Sequence, residues 1–114
     1  MALYYNLAKV HALSENDQEF VLQIVTLFVS EVPADLLHVK DGINEKDYKK
    51  AHASAHKIKP TLDLLGMSVA FDEIKCIESW TKSEGKRREI RETYKALEGR
   101  IEKAVKEIKK DFNL

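Results

Sequence analysis

The sequence predicts an all-α fold, an up-and-down antiparallel four-helix bundle with an additional short N-terminal helix. Apolar residues recur at spacings of three and four along most of the 114 residues, as on one face of an α-helix. The chain has only 4 Gly and 2 Pro, and 33% of its residues are charged, which favours helices with solvated outer faces. No strand-like alternation interrupts this pattern, and the length suits a single domain over residues 1–114.

The first half is predicted to contain a short helix and then two helices that meet at a proline. The short helix is expected at about residues 5–12. Asn16 with Glu19 resembles a capping box that starts the next helix. That helix should stop or bend near Glu31, because Pro33 lacks a backbone donor and suits the first turn of a new helix. Its apolar face is predicted to comprise Phe20, Ile24, Leu27, Phe28 and Val32.

The central helix, from about residue 48 to 65, carries two distinct rows of side chains. The apolar row predicts the side buried in the bundle and comprises Tyr48, Ala51, Ala55, Ile58, Leu62 and Leu65. The polar row lies beside it, about 100° around the helix axis, and comprises His52, His56, Lys59 and Asp63. Gly66 suits the position just past the end of this helix. The apolar row predicts the fold, and the polar row is where the function is expected.

The last two helices complete the predicted bundle. Ser68 can cap the first of them, and residues 83–85 end it. Its inward residues are predicted to be Ala70, Phe71, Ile74, Ile77 and Trp80. Cys76 lies in the same helix and is expected to be a buried or half-buried structural thiol. The final helix is predicted to have about 25 residues, because apolar side chains keep near-heptad spacing over residues 90–112.

Composition excludes several classes of protein. The 19 basic and 19 acidic residues give a formal net charge of zero, so no attraction to nucleic acid or to an anionic membrane surface is expected. Cys76 is the single cysteine and cannot form an internal disulfide, which suits a reducing, cytoplasmic compartment. The N-terminus does not resemble a signal peptide, and no run of about 18 apolar residues predicts a membrane span.

His56 and Lys59 are the residues of the polar row best suited to chemistry. A neutral imidazole is a nucleophile, and an ammonium one helical turn later could steady a phosphoryl group attached to it. His52 and His56, four residues apart, could also bind zinc or copper. No metal site is predicted, however, because no cysteine or third histidine lies nearby in the sequence, although Asp63 shares the face.

The segment His56-Lys57-Ile58-Lys59-Pro60-Thr61, followed by Leu65-Gly66, resembles the signature of histidine-containing phosphotransfer (HPt) domains, His-x-x-Lys-Gly-Ser/Thr ending in Leu-Gly. The resemblance implies that His56 accepts a phosphoryl group from a receiver-domain aspartate and passes it to another in two-component signalling. Lys59 would stabilise that group. HPt domains have no kinase or ATPase activity and no intrinsic cofactor, and the Mg²⁺ is expected on the partner receiver. No glycine-rich nucleotide-binding loop is seen here, in agreement.

The resemblance also implies the partners. They would be receiver domains of a hybrid sensor histidine kinase, of a response regulator, or of both. The chain would act in the cytoplasm without direct membrane contact, either free-standing or as the C-terminal domain of a membrane-bound hybrid kinase. A monomer is expected because the polar faces are well charged and no second apolar stripe is evident. Helical position places the docking surface around His56, with partner-binding residues His52, Pro60, Thr61, Asp63 and, on the adjoining helix, Leu37.

Pro60 departs from the HPt signature, which usually has glycine there. Because proline frees the carbonyl of His56, a mild kink is predicted just beyond the histidine. A kink that turned the imidazole inward would weaken the phosphotransfer interpretation. Two alternatives stay open: a non-catalytic helical interaction or scaffold bundle, and a small histidine-based metal-binding bundle.

Overall fold

The computed structural model describes residues 2–114, and every regular element in that range is a helix. The prediction of an all-α fold is therefore confirmed. The five helices are α1 (Ala8–Ser14), α2 (Gln18–Glu45), α3 (Tyr48–Leu64), α4 (Ser68–Lys82) and α5 (Arg87–Phe112).

Helices α2 to α5 form the predicted up-and-down bundle, in which each packs against its neighbours in the chain and α5 closes the ring against α2. Contacts between α3 and α4 show their antiparallel direction, because His52 contacts Thr81 whereas His56 contacts Glu78. The α2–α3 pair is also antiparallel. The apolar row of α3 is buried as predicted, except that Tyr48 at its start is half-buried.

The start of α2 and the predicted break at Pro33 are both corrected. The side chain of Asp17, and not that of Asn16, accepts the first backbone N–H groups, from Glu19 at 3.0 Å and Phe20 at 3.4 Å. The helix then continues for 28 residues with Pro33 in its interior. A proline there costs about 3 kcal/mol. Buried side chains on both sides of the proline offset this cost, because they pack into one core: Val25, Phe28, Val32, Leu36 and Val39.

The predicted apolar face of α2 is only partly right. Phe28 and Val32 are buried, but Phe20 and Ile24 are half-buried and Leu27 is 49% exposed. Val21 and Val25 are buried instead. The helix is apolar around much of its circumference, so spacing alone did not define which side faces α3 and α5.

The same apolar character gives α2 an 18-residue window of mean hydropathy 1.7, of which 33% is buried in the bundle. By length and composition α2 could therefore cross a membrane, whereas no membrane-spanning segment was predicted from the sequence. Buried helices of water-soluble bundles have the same composition, so this property is weak evidence for membrane insertion.

The turn between α3 and α4 follows one prediction and departs from another. Gly66 has φ +64°, the left-handed conformation expected just past the end of a helix. Ser68 begins α4 but makes no capping hydrogen bond, and Met67 occupies the cap position.

Cys76 is exposed, not buried, because it lies on the opposite side of α4 from Ile74.

An N-terminal segment closes one end of the bundle. The backbone N–H groups of Leu3 and Tyr4 donate to the carboxylate of Glu107, each over 2.8 Å, and the hydroxyl of Tyr5 donates to Asp111 over 2.7 Å. Asn6 N–H donates to the carbonyl of Leu65 over 2.7 Å. The short helix α1 follows at Ala8–Ser14, slightly later than predicted, because residues 3–6 form these bonds in a non-helical segment.

Candidate functional site

The polar row of α3 faces the groove between α3 and α4. His56 stands near the middle of α3, and 67% of its side chain is exposed. Lys59, one turn later, keeps 28% of its side chain exposed. Helix α3 continues through Pro60, so the imidazole is not turned inward; the mild kink stays a prediction. The exposed ring is reachable by another protein.

Glu78 of α4 joins these two residues. Its Oε2 lies 3.1 Å from His56 Nδ1, and its Oε1 lies 2.9 Å from Lys59 Nζ. Glu78 is itself buried, with 8% of the residue exposed. Glu78 was not predicted as a site residue from the sequence, because a contact over 22 residues depends on how α3 and α4 are aligned. A signal was present: Glu78 follows Ile74 by four residues and therefore shares its inward face.

The surroundings of Glu78 keep its carboxylate charged. Burial would raise the pKa of Glu78, but hydrogen bonds from Lys59 and His56, with the positive charge of Lys59, outweigh it and hold the pKa below its usual value. An ionised carboxylate can only accept hydrogen bonds. When its ring is neutral, His56 must therefore carry its proton on Nδ1 and donate it to Glu78, which leaves Nε2 with a free lone pair. This tautomer could not be predicted from the sequence.

His52 is held in the same way by a different partner. The hydroxyl of Thr81 donates its one proton to the carbonyl of Glu78 over 2.6 Å, so its oxygen must accept from His52 Nδ1, 3.1 Å away. The rings of His52 and His56 are stacked, with centroids 6.0 Å apart and planes 14° from parallel. Two imidazoles thus lie side by side with their Nδ1 atoms bonded to α4.

The other predicted partner-binding residues divide into two groups. Pro60 is exposed and Thr61 is half-buried, both within one and a half turns of His56 on α3. Asp63 lies nearer the end of α3 and forms an ion pair with Lys9 of α1, with its Oδ1 2.7 Å from Lys9 Nζ. Leu37 is 57% exposed but lines the groove between α2 and α5, so the structure does not bring it to the α3–α4 surface.

Comparison of the chain with protein-family models, curated proteins and solved structures found no match. The assignment of a function therefore depends on the geometry around His56 and on the motif that surrounds it.

Proposed function

We propose that the protein is a histidine phosphotransfer module that relays a phosphoryl group between receiver-domain aspartates in two-component signalling. The observation that carries the proposal is the state of His56: an exposed imidazole whose Nδ1 is bound to Glu78, so that Nε2 is free to attack. Its partners would be receiver domains of a hybrid sensor histidine kinase or of a response regulator in the cytoplasm.

In the proposed step, Nε2 of His56 attacks the phosphorus of an aspartyl phosphate in line. The N–P bond forms as the P–O bond to the aspartate breaks, and the leaving carboxylate keeps that electron pair. The imidazole gains positive charge as it attacks, and the Glu78 carboxylate beside Nδ1–H stabilises that charge. Mg²⁺ bound to the receiver would neutralise the phosphoryl oxygens, so the step needs no cofactor from this chain.

In this scheme the ammonium of Lys59 can contact two anions, the carboxylate of Glu78 and the phosphoryl group on His56. Its ammonium now contacts Glu78 Oε1 at 2.9 Å, on the carboxylate that also holds His56. Because a lysine side chain is long and flexible, the ammonium can turn towards a phosphoryl group on Nε2 and reduce its repulsion from Glu78. Lys59 would therefore act mainly after transfer, when the phosphoryl group and Glu78 are close together.

A labelling experiment tests the proposal. Incubation with a receiver domain phosphorylated on aspartate should give a phosphate on this chain that is lost in acid and stable in base, as expected for phosphohistidine. His56→Gln should lose the label while its circular dichroism stays helical. His38→Gln is the matched control, because His38 is an exposed histidine on α2 and should keep the label.

Equal labelling of His56→Gln and of the unmodified chain would remove His56 from the mechanism. Absence of label from every receiver tried, with the fold intact, would favour the non-catalytic scaffold bundle, in which the exposed imidazole is incidental.

A further inference from the structure

Three side chains that commonly bind transition metals converge at the α3–α4 groove. His52, His56 and Glu78 each offer one ligand atom, and these three atoms all lie within 4.8 Å of one another. The two histidines are one helical turn apart on α3, and the third ligand comes from α4. No metal site was predicted because no cysteine or third histidine lies nearby in the sequence, and the packing of α4 supplies the carboxylate of Glu78 as a third ligand.

The distances suit a small tetrahedral ion. His56 Nδ1 and Glu78 Oε2 are 3.1 Å apart, and two neighbouring ligands of tetrahedral zinc, with bonds of about 2.0–2.1 Å, are about 3.3 Å apart. The ligand atom of His52 lies within 4.8 Å of those of His56 and Glu78, so rotation of the His52 side chain would bring it to the same ion. Lys59 contacts the other carboxylate oxygen, Oε1, which leaves Oε2 available.

We propose that His52, His56 and Glu78 form a binding site for a divalent transition metal of the Zn²⁺ type, and that metal binding and phosphorylation of His56 exclude each other. Two imidazoles and one carboxylate suit zinc, with water in the fourth position. Mg²⁺ prefers oxygen ligands in octahedral geometry and should not compete. The second half of the proposal rests on the proposed phosphotransfer function, whereas the first half does not.

The exclusion follows from the position of one proton. A metal on His56 Nδ1 replaces the proton now shared with Glu78, and a neutral ring then carries its proton on Nε2. That nitrogen has no free lone pair and cannot attack phosphorus. A metal on Nε2 would occupy the nucleophile directly. In either arrangement the bound metal removes the nucleophile, and removal of the metal restores it.

Competition with a chromophoric zinc chelator at pH 7.5 tests the site on the full chain. We expect one Zn²⁺ per chain and no effect of millimolar Mg²⁺. His52→Ala and Glu78→Gln should each weaken binding at least about tenfold, since even residues behind a ligand contribute about 10–100-fold. His38→Ala, which removes an exposed histidine from α2, should bind as tightly as the unmodified chain.

Failure to bind Zn²⁺, or equal binding by the His52→Ala and Glu78→Gln variants, would overturn the site. Circular dichroism shows whether each variant is folded, and Glu78→Gln preserves the shape of the buried side chain. A second measurement follows modification of His56 by diethyl pyrocarbonate, which Zn²⁺ should suppress in the unmodified chain and not in His52→Ala. Neither readout requires phosphotransfer, so the metal site and the proposed function can fail separately. Phosphorylation of His56 undiminished at saturating Zn²⁺ would overturn the exclusion alone.

Discussion

One carboxylate on α4, that of Glu78, contacts the imidazole of His56 and the ammonium of Lys59 at the same time. Glu78 fixes the tautomer of the neutral His56 ring and partly neutralises the charge of Lys59. In the proposed transfer its hydrogen bond to Nδ1–H leaves Nε2 unprotonated, and its negative charge stabilises the positive charge that develops on the ring. Glu78 is therefore a positioning residue, and its two functions can be separated by substitution.

Glu78→Ala should slow phosphoryl transfer to His56 about tenfold, the equivalent of about 1.4 kcal/mol, which is close to the lower end of the range of about 1.5–3 kcal/mol for a hydrogen bond to a charged group. Glu78→Gln keeps an acceptor for Nδ1–H but removes the negative charge, and should restore part of the rate. Nitrogen-15 NMR shifts of His56 provide the independent readout: the Nδ1–H tautomer should dominate in the unmodified chain and in Glu78→Gln only. An alanine variant that retains both full rate and tautomer would exclude the positioning role.

Single residues show where sequence reasoning succeeded and where it could not. Exposure of His56 was expected because it lies one position around the helix from a continuous apolar row. Glu78 was missed because its role depends on a contact between helices, which no local spacing encodes. Cys76 was misplaced because its residue type is usually buried, whereas its helical position, opposite Ile74, decided the outcome.

At the scale of helices, the α2–α3 contact is unusually close at Gly42. A Cβ atom built on Gly42 would lie 2.7 Å from the backbone nitrogen of Ala51 and 2.8 Å from its Cβ. Backbone atoms cannot rotate out of the way, so the two helices approach this closely only because residue 42 has no side chain. On α3 the contact is made by Ala51, the residue immediately before His52, and it helps to fix the position of α3.

Gly42→Ala should force α2 and α3 apart and lower the free energy of unfolding by about 1–3 kcal/mol. Gly99→Ala is the matched substitution, because Gly99 lies inside α5 and a Cβ there would meet nothing within 4 Å. That variant should instead gain about 0.5–1 kcal/mol from the better helix propensity of alanine. Urea unfolding followed by circular dichroism measures both, and equal effects of the two substitutions would argue against the close contact.

Helix boundaries were predictable where local signals and packing agree. In α3 the apolar row and Gly66, a residue type suited to the position just past a helix, indicated the same helix. The bounds of α3 were therefore predicted to within one residue, and Gly66 is left-handed as expected. In α2 they disagreed: Pro33 is a local signal to stop, but the buried residues on both sides of it belong to one continuous helix in the bundle. A proline inside a helix costs about 3 kcal/mol, and the packing of the buried side chains around it outweighs that cost here.

At the scale of the whole molecule, buried tyrosines link distant parts of the chain. Tyr5 of the N-terminal segment donates to Asp111 of α5, and Tyr94 of α5 donates to the carbonyl of Leu36 of α2. Burial, followed by the hydrogen bond to Asp111, raises the pKa of Tyr5 above its ordinary value. Burial and the nearby charge of Glu98 do the same to the pKa of Tyr94.

These raised pKa values predict alkaline sensitivity. The stability they contribute is fully present below about pH 10, where both phenols are neutral in the unfolded chain as well. As pH rises further, the unfolded chain loses protons that the folded chain keeps, so stability falls by up to about 1.4 kcal/mol per pH unit for each tyrosine. Urea unfolding between pH 9 and 11 should show this slope.

The slope should be shallower in Tyr5→Phe and shallower still when Tyr94→Phe is added. Tyr4→Phe removes a phenol that is 43% exposed and serves as the control, with the slope expected to match that of the unmodified chain. A double variant with an unchanged slope would show that other groups cause the alkaline loss.

The bonds from Leu3 and Tyr4 to Glu107 also bring the two ends of the polypeptide to the same pole of the bundle. Anything fused to either end would leave from that pole. His56 lies nine residues before Leu65, about 14 Å along the helix from it, on the flank and not at the tip. A linker attached at that pole would therefore let the bundle turn between two receiver domains without covering the α3–α4 surface around His56.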